Sequence, residues 1–285
     1  MYKVFFSIIL YFTIPHIPLA VAATESSAHI ITPQTVKLTY KAYWGGFVIS
    51  NIHSLGKINA NGYEMEISYE VTGLASFFSN MKNKVSVQGT FSPSGALKPL
   101  VYKNTGSWSR YNFDTLTEFN ETDSKIFSHE YEFKFKEDVK YIPIKDELRF
   151  GPDMLSFYLG LTLNDNALKI GTELKHQNVF GGFYLLDIAY RCTENKQFKS
   201  KRSAFSGEVI VCEFKDSVLD GSFERINKKS KKKKKKNRDK FEPVPLTIWY
   251  AKPKDLKNMI PVYSEFPIGW GTVRVYLSDI EVISN

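Results

Sequence analysis

The sequence lacks the features that usually identify an enzyme. It has no glycine-rich phosphate loop and no G-x-S-x-G turn. Its only two cysteines, Cys192 and Cys212, are not a C-x-x-C pair, so neither a zinc knuckle nor a thioredoxin-like site is supported. With 43 % hydrophobic and 24 % charged residues, the 285-residue chain has the composition of an ordinary globular protein. These absences exclude no fold, but they leave no ready-made catalytic motif.

Excess positive charge is confined to one segment. The net charge is +8, and residues 228–240 alone contribute +9, which leaves −1 for the rest of the chain. A near-neutral body gives no support to nucleic-acid binding. Because like charges repel, residues 226–240 are predicted to form a disordered lysine-rich loop inserted between two strands. Six consecutive residues are candidate contacts to an anionic surface: Lys231, Lys232, Lys233, Lys234, Lys235 and Lys236. A tolerated surface loop and a nuclear-import address are the alternatives.

Residues 1–23 have the layout of a secretory signal peptide. Lys3 precedes the apolar run Val4–Ile14, and the small residues that follow place the expected cleavage near Ala22 or Ala23. The apolar run is too short for a bilayer span of about 20 residues, although an uncleaved anchor is the alternative. Residues 24–35 are expected to be a flexible mature N-terminus. The predicted location is therefore periplasmic or secreted.

Export bears on the two cysteines. An oxidising compartment permits a disulfide between Cys192 and Cys212, worth about 3 kcal/mol through the loop that it closes. Two buried free thiols are the alternative.

The dominant hydrophobic period is two, which indicates β-strands. Apolar and polar residues alternate over Val36–Trp44 and Tyr63–Thr72, and Gly45–Gly46 predicts a hairpin turn after the first of these. One segment, Pro152–Leu161, predicts a short helix with Leu155, Tyr158, Leu159 and Thr162 on one face, and Gly73–Asn80 is a candidate second helical turn. We therefore predict a mainly β fold, with a large curved antiparallel sheet or an open barrel or half-barrel and one or two short helices. Residues 36–283 are expected to form a single domain.

The candidate catalytic groups are isolated. His129-Glu130 begins like a zinc-protease motif, but Phe133 stands where the second histidine belongs. Two S-x-x-K tetrads occur, at Ser54/Lys57 and Ser79/Lys82, without the S-D-N and K-T-G elements of penicillin-binding enzymes. The carboxylate pairs Glu64/Glu66 and Glu130/Glu132 fit the solvated face of a strand. We therefore predict a protein that is not an enzyme, with no catalytic residue, metal site or cofactor.

Aromatic side chains are abundant in the predicted strands. They form a packed core or, on a curved sheet, the lining of a site for an apolar ligand. The set comprises Tyr40, Trp44, Tyr63, Tyr69, Phe91, Trp249, Tyr250, Tyr263, Phe266 and Trp270.

Several short motifs, in order, resemble a known family. Tyr40–Gly46 is similar to the Y-x-V-Y-x-G-G start of the exported bacterial domain of unknown function DUF3108, and Gly151–Ser156 resembles its D-P-L-S segment. Val179–Gly182 resembles V-F-D-G, and the W-L-A, I-P-V and L-G-T-V motifs have counterparts at Ile248–Ala251, Ile260–Val262 and Ile268–Val273. The resemblance covers about Val36 to Val282.

The resemblance implies export and a β-rich fold, by analogy like the half-barrels of periplasmic lipoprotein carriers. It brings no catalytic residue, because the family has no assigned activity. This sequence departs from the family where Gly181 replaces the acidic residue of V-F-D-G. Cys212 matches a family cysteine, whereas Cys192 follows a motif that the other family cysteine precedes. The lysine run is an insertion.

Three functional hypotheses follow. The first is a non-enzymatic periplasmic protein that binds an apolar or envelope-derived ligand, such as a lipid, on a curved sheet. The alternative is a structural or protein-interaction module of the envelope, whose lysine-rich loop contacts anionic surfaces. The third is an enzyme without a recognisable motif, which would have only Glu64, Glu66 and the two serine–lysine tetrads to use.

Overall fold

The computed structural model describes residues 33–73, 76, 80–108, 111–121, 125–134, 139–164, 166–225, 246–269 and 271–283. The predicted signal peptide (1–23) and the lysine-rich segment lie outside these ranges, so the statements about them stay predictions. The strands are β1 Gln34–Trp44, β2 Phe47–Asn59, β3 Gly62–Val71, β4 Met81–Phe91, β5 Leu97–Trp108, β6 Tyr111–Phe119, β7 Ile126–Lys134, β8 Val139–Ile142, β9 Lys175–Phe180, β10 Leu185–Phe198, β11 Gly207–Asp220, β12 Ser222–Arg225, β13 Leu246–Ala251, β14 Ile260–Ile268 and β15 Gly271–Ile283; the helix α1 is Met154–Leu163.

Thirteen of the strands form one antiparallel sheet that is not closed into a barrel. Their order is β7-β6-β5-β4-β3-β2-β1-β15-β14-β13-β11-β10-β9, and β12 pairs with β8 in a separate two-stranded sheet. We call β1–β7 the first half of the sheet and β9–β11 with β13–β15 the second half. The predicted class, a large antiparallel sheet with a short helix, is confirmed.

Local sequence explains the hairpin between β1 and β2. Gly45 and Gly46 have φ values of 55° and 91°, and glycine adopts such positive values at no steric cost. Two central residues with positive φ give a turn whose twist matches that of the flanking strands. The turn therefore pairs Trp44 with Phe47 and sets the register of both strands.

The helix α1 packs between the two halves of the sheet. Leu155 and Leu159 belong to a hydrophobic cluster with β3–β7, whereas Phe157 and Leu161 belong to a cluster with β9–β11 and β13. The sequence places Leu155, Tyr158, Leu159 and Thr162 on one side of α1, and the structure also buries Phe157 and Leu161 on the other side. A short helix that is apolar on both sides is enclosed, because each side can be buried only against a different partner.

A short segment before α1 connects the two ends of the open sheet. The backbone N–H of Ile126, at the start of β7, donates to the carbonyl of Arg149 over 3.0 Å. The N–H of Phe180, at the end of β9, donates to the carbonyl of Pro152 over 2.8 Å. Phe180 then packs edge-on against Tyr102 in the first half. The end strands are therefore held near each other without pairing directly.

The second half is covered on both faces where β15 crosses it. Leu277 is 0 % exposed and its neighbour Tyr276 is also buried, although successive residues of a strand point to opposite faces. The connection between β10 and β11 lies over this region, since the N–H of Ala204 donates to the Leu277 carbonyl over 2.8 Å. Arg202 stacks on the ring of Tyr43, 4.4 Å from its centre. This part of the sheet is a closed core.

Candidate ligand-binding surface

The inner face of the sheet is the face on which α1 packs. It is identified by Tyr63 of β3, whose hydroxyl lies 2.7 Å from Ser156 Oγ of α1. Alternate residues of each strand share this face, and the strand registers align them in rows across the first half. The three rows beyond Tyr63 are Val36–Gly56–Met65–Val87–Tyr102–Thr117–His129, Leu38–Ser54–Ile67–Val85–Asn104–Thr115–Tyr131 and Tyr40–Ile52–Tyr69–Asn83–Gly106–Phe113–Phe133.

The three rows contain no lysine, arginine, aspartate or glutamate. Their one titratable base is His129, and burial, assisted by the charge of Arg149, lowers the pKa of its imidazole to about 4. His129 is therefore neutral at neutral pH. The opposite face carries the charges, with ion pairs such as Lys84 to Glu66 at 2.8 Å. The inner face of the first half is an uncharged surface.

Part of this surface is only half-buried, and we call that part the inner patch. Its apolar members on β2, β3 and β4 include Ile52, Met65, Ile67 and Val85, each of intermediate exposure. Gly56 lies at one corner of the patch, beside Met65, and an added Cβ there would meet no heavy atom within 4 Å. The inner patch consists of Ile52, Ser54, Gly56, Met65, Ile67, Tyr69, Asn83 and Val85, and the buried Asn104 borders it. Gly56 is the position of the patch at which the structure shows open space beside the backbone.

Two carboxamide oxygens beside the inner patch lack hydrogen-bond partners and are closed to solvent. Asn104 is 7 % exposed, and its Oδ1 accepts no hydrogen bond from the described part of the chain. The same holds for Asn83 Oδ1 on the neighbouring strand, although Asn83 Nδ2 donates to the Tyr69 hydroxyl over 3.4 Å. Buried polar atoms are nearly always satisfied, so two unpaired acceptors close together are unusual.

A buried polar network holds α1 against the first half. Asp153, 0 % exposed, caps the helix by accepting from the N–H groups of Leu155 and Ser156 over 2.9 and 3.0 Å. The Ser156 hydroxyl donates to the second carboxylate oxygen, so the Tyr63 hydroxyl donates to Ser156. Burial raises the pKa of Asp153 to about 6, against the opposing effect of these hydrogen bonds. The groups of this network form hydrogen bonds with one another. The network therefore serves to hold the helix in place.

The candidate catalytic residues do not converge. Ser54 faces the inner patch, whereas Lys57 lies on the opposite face and pairs with Glu64 over 3.2 Å. Ser79, the first residue of the second tetrad, is outside the described residues. Glu66 is engaged by Lys84 on the outer face. Within the described ranges, no three histidine, cysteine, aspartate or glutamate side chains lie close enough to hold a metal ion.

The aromatic residues that the sequence suggested as a ligand lining belong largely to the core. Tyr40, Tyr63, Tyr250 and Tyr263 are buried. Tyr69 alone of the set lies in the inner patch, and Trp270 is outside the described residues. The amino-acid sequence alone did not reveal the uncharged rows, because they depend on strand register. It did not reveal the open space at Gly56 either, because that depends on how the rest of the chain packs. The available signal was the asparagine at 104 inside a predicted strand, where asparagine is disfavoured.

Cys192 and Cys212 form a disulfide between directly opposed residues of β10 and β11. The bond lies in the core that Phe157 and Tyr250 also line. Disulfides persist in oxidising compartments, so this bond fits an exported protein. In the portion of the chain that the structure covers, none of the helices has both the length and the apolar character needed to cross a membrane.

Comparison with known proteins adds a family and a distant structural likeness. A crystal structure described as a beta-barrel-like protein of domain of unknown function DUF1849 from Brucella abortus is similar, with 7 % sequence identity and a TM-score of 0.48. The likeness covers 89 % of this chain and 98 % of that one. No curated protein matches the sequence. The family described as protein of unknown function (DUF3108) matches residues 39–278, which is most of the chain and includes every motif noted above. The chain therefore belongs to the DUF3108 family.

Proposed function

We propose that this protein is exported to the periplasm and binds an apolar, envelope-derived ligand on the inner patch without catalysing a reaction. The observation that carries the proposal is the opening at Gly56 within a half-buried, uncharged surface. Apolar side chains left partly in water gain roughly 25 cal/mol for each Å² that a ligand covers. The disulfide supports the compartment. The separation of Ser54 from Lys57 supports a binding role, since no nucleophile meets a base there.

Most of the proposed site lies on the first half, although Ile52 also packs against a hydrophobic cluster that includes Val262 and Leu277 of the second half. Phe157 and Leu161 of α1 pack against the second half, whereas Leu155 and Leu159 pack against the first. A ligand on the inner patch would therefore contact β2–β4 on one side and remain accessible from solvent. Such a site suits part of an acyl chain rather than a fully enclosed molecule.

The test is titration of delipidated protein with N-phenyl-1-naphthylamine, whose fluorescence rises in apolar surroundings. The variant Gly56→Phe fills the opening, and its added Cβ meets no atom, so it is expected to fold and to lose saturable binding. The matched control is Gly171→Phe, because Gly171 is exposed and also has open space at Cβ. Equal binding by both variants and the wild type would count against the proposal.

A second candidate function is attachment to an anionic surface through Lys231–Lys236. The charge of +9 over residues 228–240 favours it, at about 1 kcal/mol for each basic residue near an anionic bilayer. The test is co-sedimentation with vesicles that contain phosphatidylglycerol, over a range of salt concentrations. Replacing the six lysines by serine should abolish a salt-sensitive association, and unchanged co-sedimentation would remove this candidate.

A further inference from the structure

We propose that one end of the sheet docks on a lipid bilayer that contains anionic lipids, with three neighbouring strand connections inserted at the membrane interface. This surface is separate from the inner patch, so the inference does not rest on the proposed function. Two observations support it: uncharged connections are grouped at one end of the sheet, and Phe47 projects there into solvent.

The connections β1–β2, β3–β4 and β14–β15 adjoin one another at the same end of the sheet. Their strands are contiguous, in the order β4-β3-β2-β1-β15-β14. Trp44 at the end of β1 lies against the start of β15, since a Cβ added at Gly271 would come within 3.5 Å of the Trp44 Nε1. The β3–β4 connection begins against β2, because the Thr72 N–H donates to the Ile49 carbonyl over 2.8 Å. We call this end the tip surface, and it consists of Trp44, Phe47, Gly73, Pro267, Ile268 and Gly271.

The three connections are uncharged and rich in aromatic residues. Residues 44–52, 71–81 and 266–273 contain no lysine, arginine, histidine, aspartate or glutamate. Phe47, directly after the β1–β2 turn, is 62 % exposed. The aromatic residues of the three segments are Trp44, Phe47, Phe77, Phe78, Phe266 and Trp270, of which Phe77, Phe78 and Trp270 lie outside the described residues.

The opposite end of the sheet has a different composition. The β13–β14 connection there contains Lys252, Lys254, Asp255 and Lys257, and the β6–β7 connection contains Glu121, Asp123 and Lys125. Charge is therefore absent from the connections of the tip surface and present in these two at the other end. Such an asymmetry indicates an end that contacts an apolar environment.

The composition of the tip surface suits the interface of a bilayer. Tryptophan is enriched where membrane and water meet, and an exposed phenylalanine gains free energy when its ring leaves water. The first charges beyond the β14–β15 connection are Glu265 and Arg274, which pair over 3.5 Å. These charges would remain at the level of the lipid headgroups. The tip surface would therefore enter the interface without crossing the bilayer.

Positive charge near the tip surface favours an anionic bilayer. Arg202 stacks on Tyr43, the residue before Trp44, with its guanidinium carbon 4.4 Å from the ring centre. The chain enters β13 at Leu246, beside β14 and at the same end of the sheet, shortly after residues 228–240 with their charge of +9. Basic residues near an anionic surface add an attraction that salt screens. Insertion of the tip surface should persist when that attraction is screened.

The test is co-flotation of the protein with vesicles of phosphatidylethanolamine and phosphatidylglycerol in about 0.5 M sodium chloride, where the Debye length is only about 4 Å. Phe47→Ser should weaken partitioning about tenfold, because it removes a large apolar side chain from the interface. Phe127→Ser is the matched control. Phe127 is also 62 % exposed but lies near the start of β7, at the opposite end of the sheet, so its replacement should leave partitioning unchanged.

A second pair of variants measures the orientation of the protein on the bilayer. Phe47→Trp retains a large aromatic side chain, so its partitioning should match that of the wild type. Brominated phosphatidylcholine in the vesicles should quench the fluorescence that this variant adds. Ala60→Trp places a tryptophan at an exposed position of the β2–β3 turn, at the opposite end, and its added fluorescence should not be quenched. Equal quenching at the two positions would overturn the inference.

The vesicle experiment can also overturn the inference directly. Either the absence of wild-type partitioning at this salt concentration or equal partitioning of the wild type and Phe47→Ser would do so. Phe47 is not part of the inner patch, so Phe47→Ser should bind N-phenyl-1-naphthylamine as the wild type does. Failure of vesicle binding therefore leaves the proposed function standing, whereas failure of the probe to bind the wild type contradicts the proposed function alone.

Discussion

The two halves of the sheet differ in how completely their faces are covered. In the second half, Leu277 and Val262 are fully buried, a disulfide joins neighbouring strands and the β10–β11 connection covers the outer face. In the first half, the outer face is charged, and part of the inner face, the inner patch, is uncharged and only half-buried. The difference teaches that stability is concentrated where both faces are covered. The first half is left free to present an incomplete surface, as binding sites require.

Truncation of core side chains should separate the halves most clearly. Leu277→Ala removes a fully buried side chain and is expected to cost about 2–5 kcal/mol of unfolding free energy. Ile67→Ala, at a half-buried position of the inner patch, should cost about 1 kcal/mol, because less apolar area is lost and water already reaches the site. Urea unfolding followed by circular dichroism measures both. Equal losses of unfolding free energy in the two variants would contradict the distinction between a closed second half and a partly open first half.

The disulfide should contribute the next largest effect. Its two cysteines are 20 residues apart, and a loop of this length is worth about 3 kcal/mol in the chain-entropy account. The double variant Cys192→Ala/Cys212→Ala should therefore unfold at lower urea concentration. Dithiothreitol should lower the midpoint of the wild type and leave that of the double variant unchanged. An unchanged wild-type midpoint after complete reduction would contradict this assignment.

Two buried groups should make opposite contributions to the pH dependence of stability. The pKa of His129 is lowered to about 4, so the unfolded state takes up its proton first and stability is lost as pH falls from 6.5 to 4. The pKa of Asp153 is raised to about 6, so the folded state takes up its proton first and stability is gained as pH falls from 6 to 3.8. Each effect is about 3 kcal/mol, and in the wild type they largely cancel.

Single variants should reveal the two effects. His129→Phe removes the His129 contribution and leaves that of Asp153. The stability of this variant relative to the wild type should therefore rise as the pH falls from 7 to 4. Asp153→Asn retains an oxygen that caps α1 and leaves the His129 contribution, so relative stability should fall over the same interval. Thermal denaturation at half-unit pH steps measures both. Parallel pH profiles for the two variants would contradict the assigned protonation states.

The smallest effect on stability is expected at Asn104. Asn104→Leu replaces a buried side chain whose oxygen has no partner, and such replacements are nearly neutral or stabilising. Its unfolding free energy should change by less than about 1 kcal/mol, in the direction of greater stability. A large loss would show that the Asn104 carboxamide stabilises the fold.

The sequence was sufficient to predict strands with one solvent-exposed face. It was not sufficient to predict the surface that those strands form together. β3 follows the alternation of Tyr63–Val71 closely, because its outer residues are three glutamates and a serine. β9 was missed, because its first four residues are polar or charged and only Val179 and Phe180 are buried. The burial of both sides of α1 depends on strands distant in sequence, so local periodicity could not reveal it.

The candidate site depends on register even more strongly. Gly56, Ile67 and Asn104 lie on three strands, and only their pairing places them on one face. Once the registers are known, the absence of charge from alternate positions follows directly from the sequence. The open space at Gly56 does not follow from the registers. It exists because no described atom lies within 4 Å of a Cβ added there, which depends on the packing of distant residues.

Native mass spectrometry of the protein purified from a periplasmic preparation tests the central claim most directly. For the wild type and for Gly171→Phe, the account predicts a reproducible excess mass that is removed by organic extraction and identified as an apolar ligand. For Gly56→Phe, it predicts the bare polypeptide mass. A bare polypeptide mass for the wild type, or the same excess mass on Gly56→Phe, would contradict the claim that the inner patch is a ligand site.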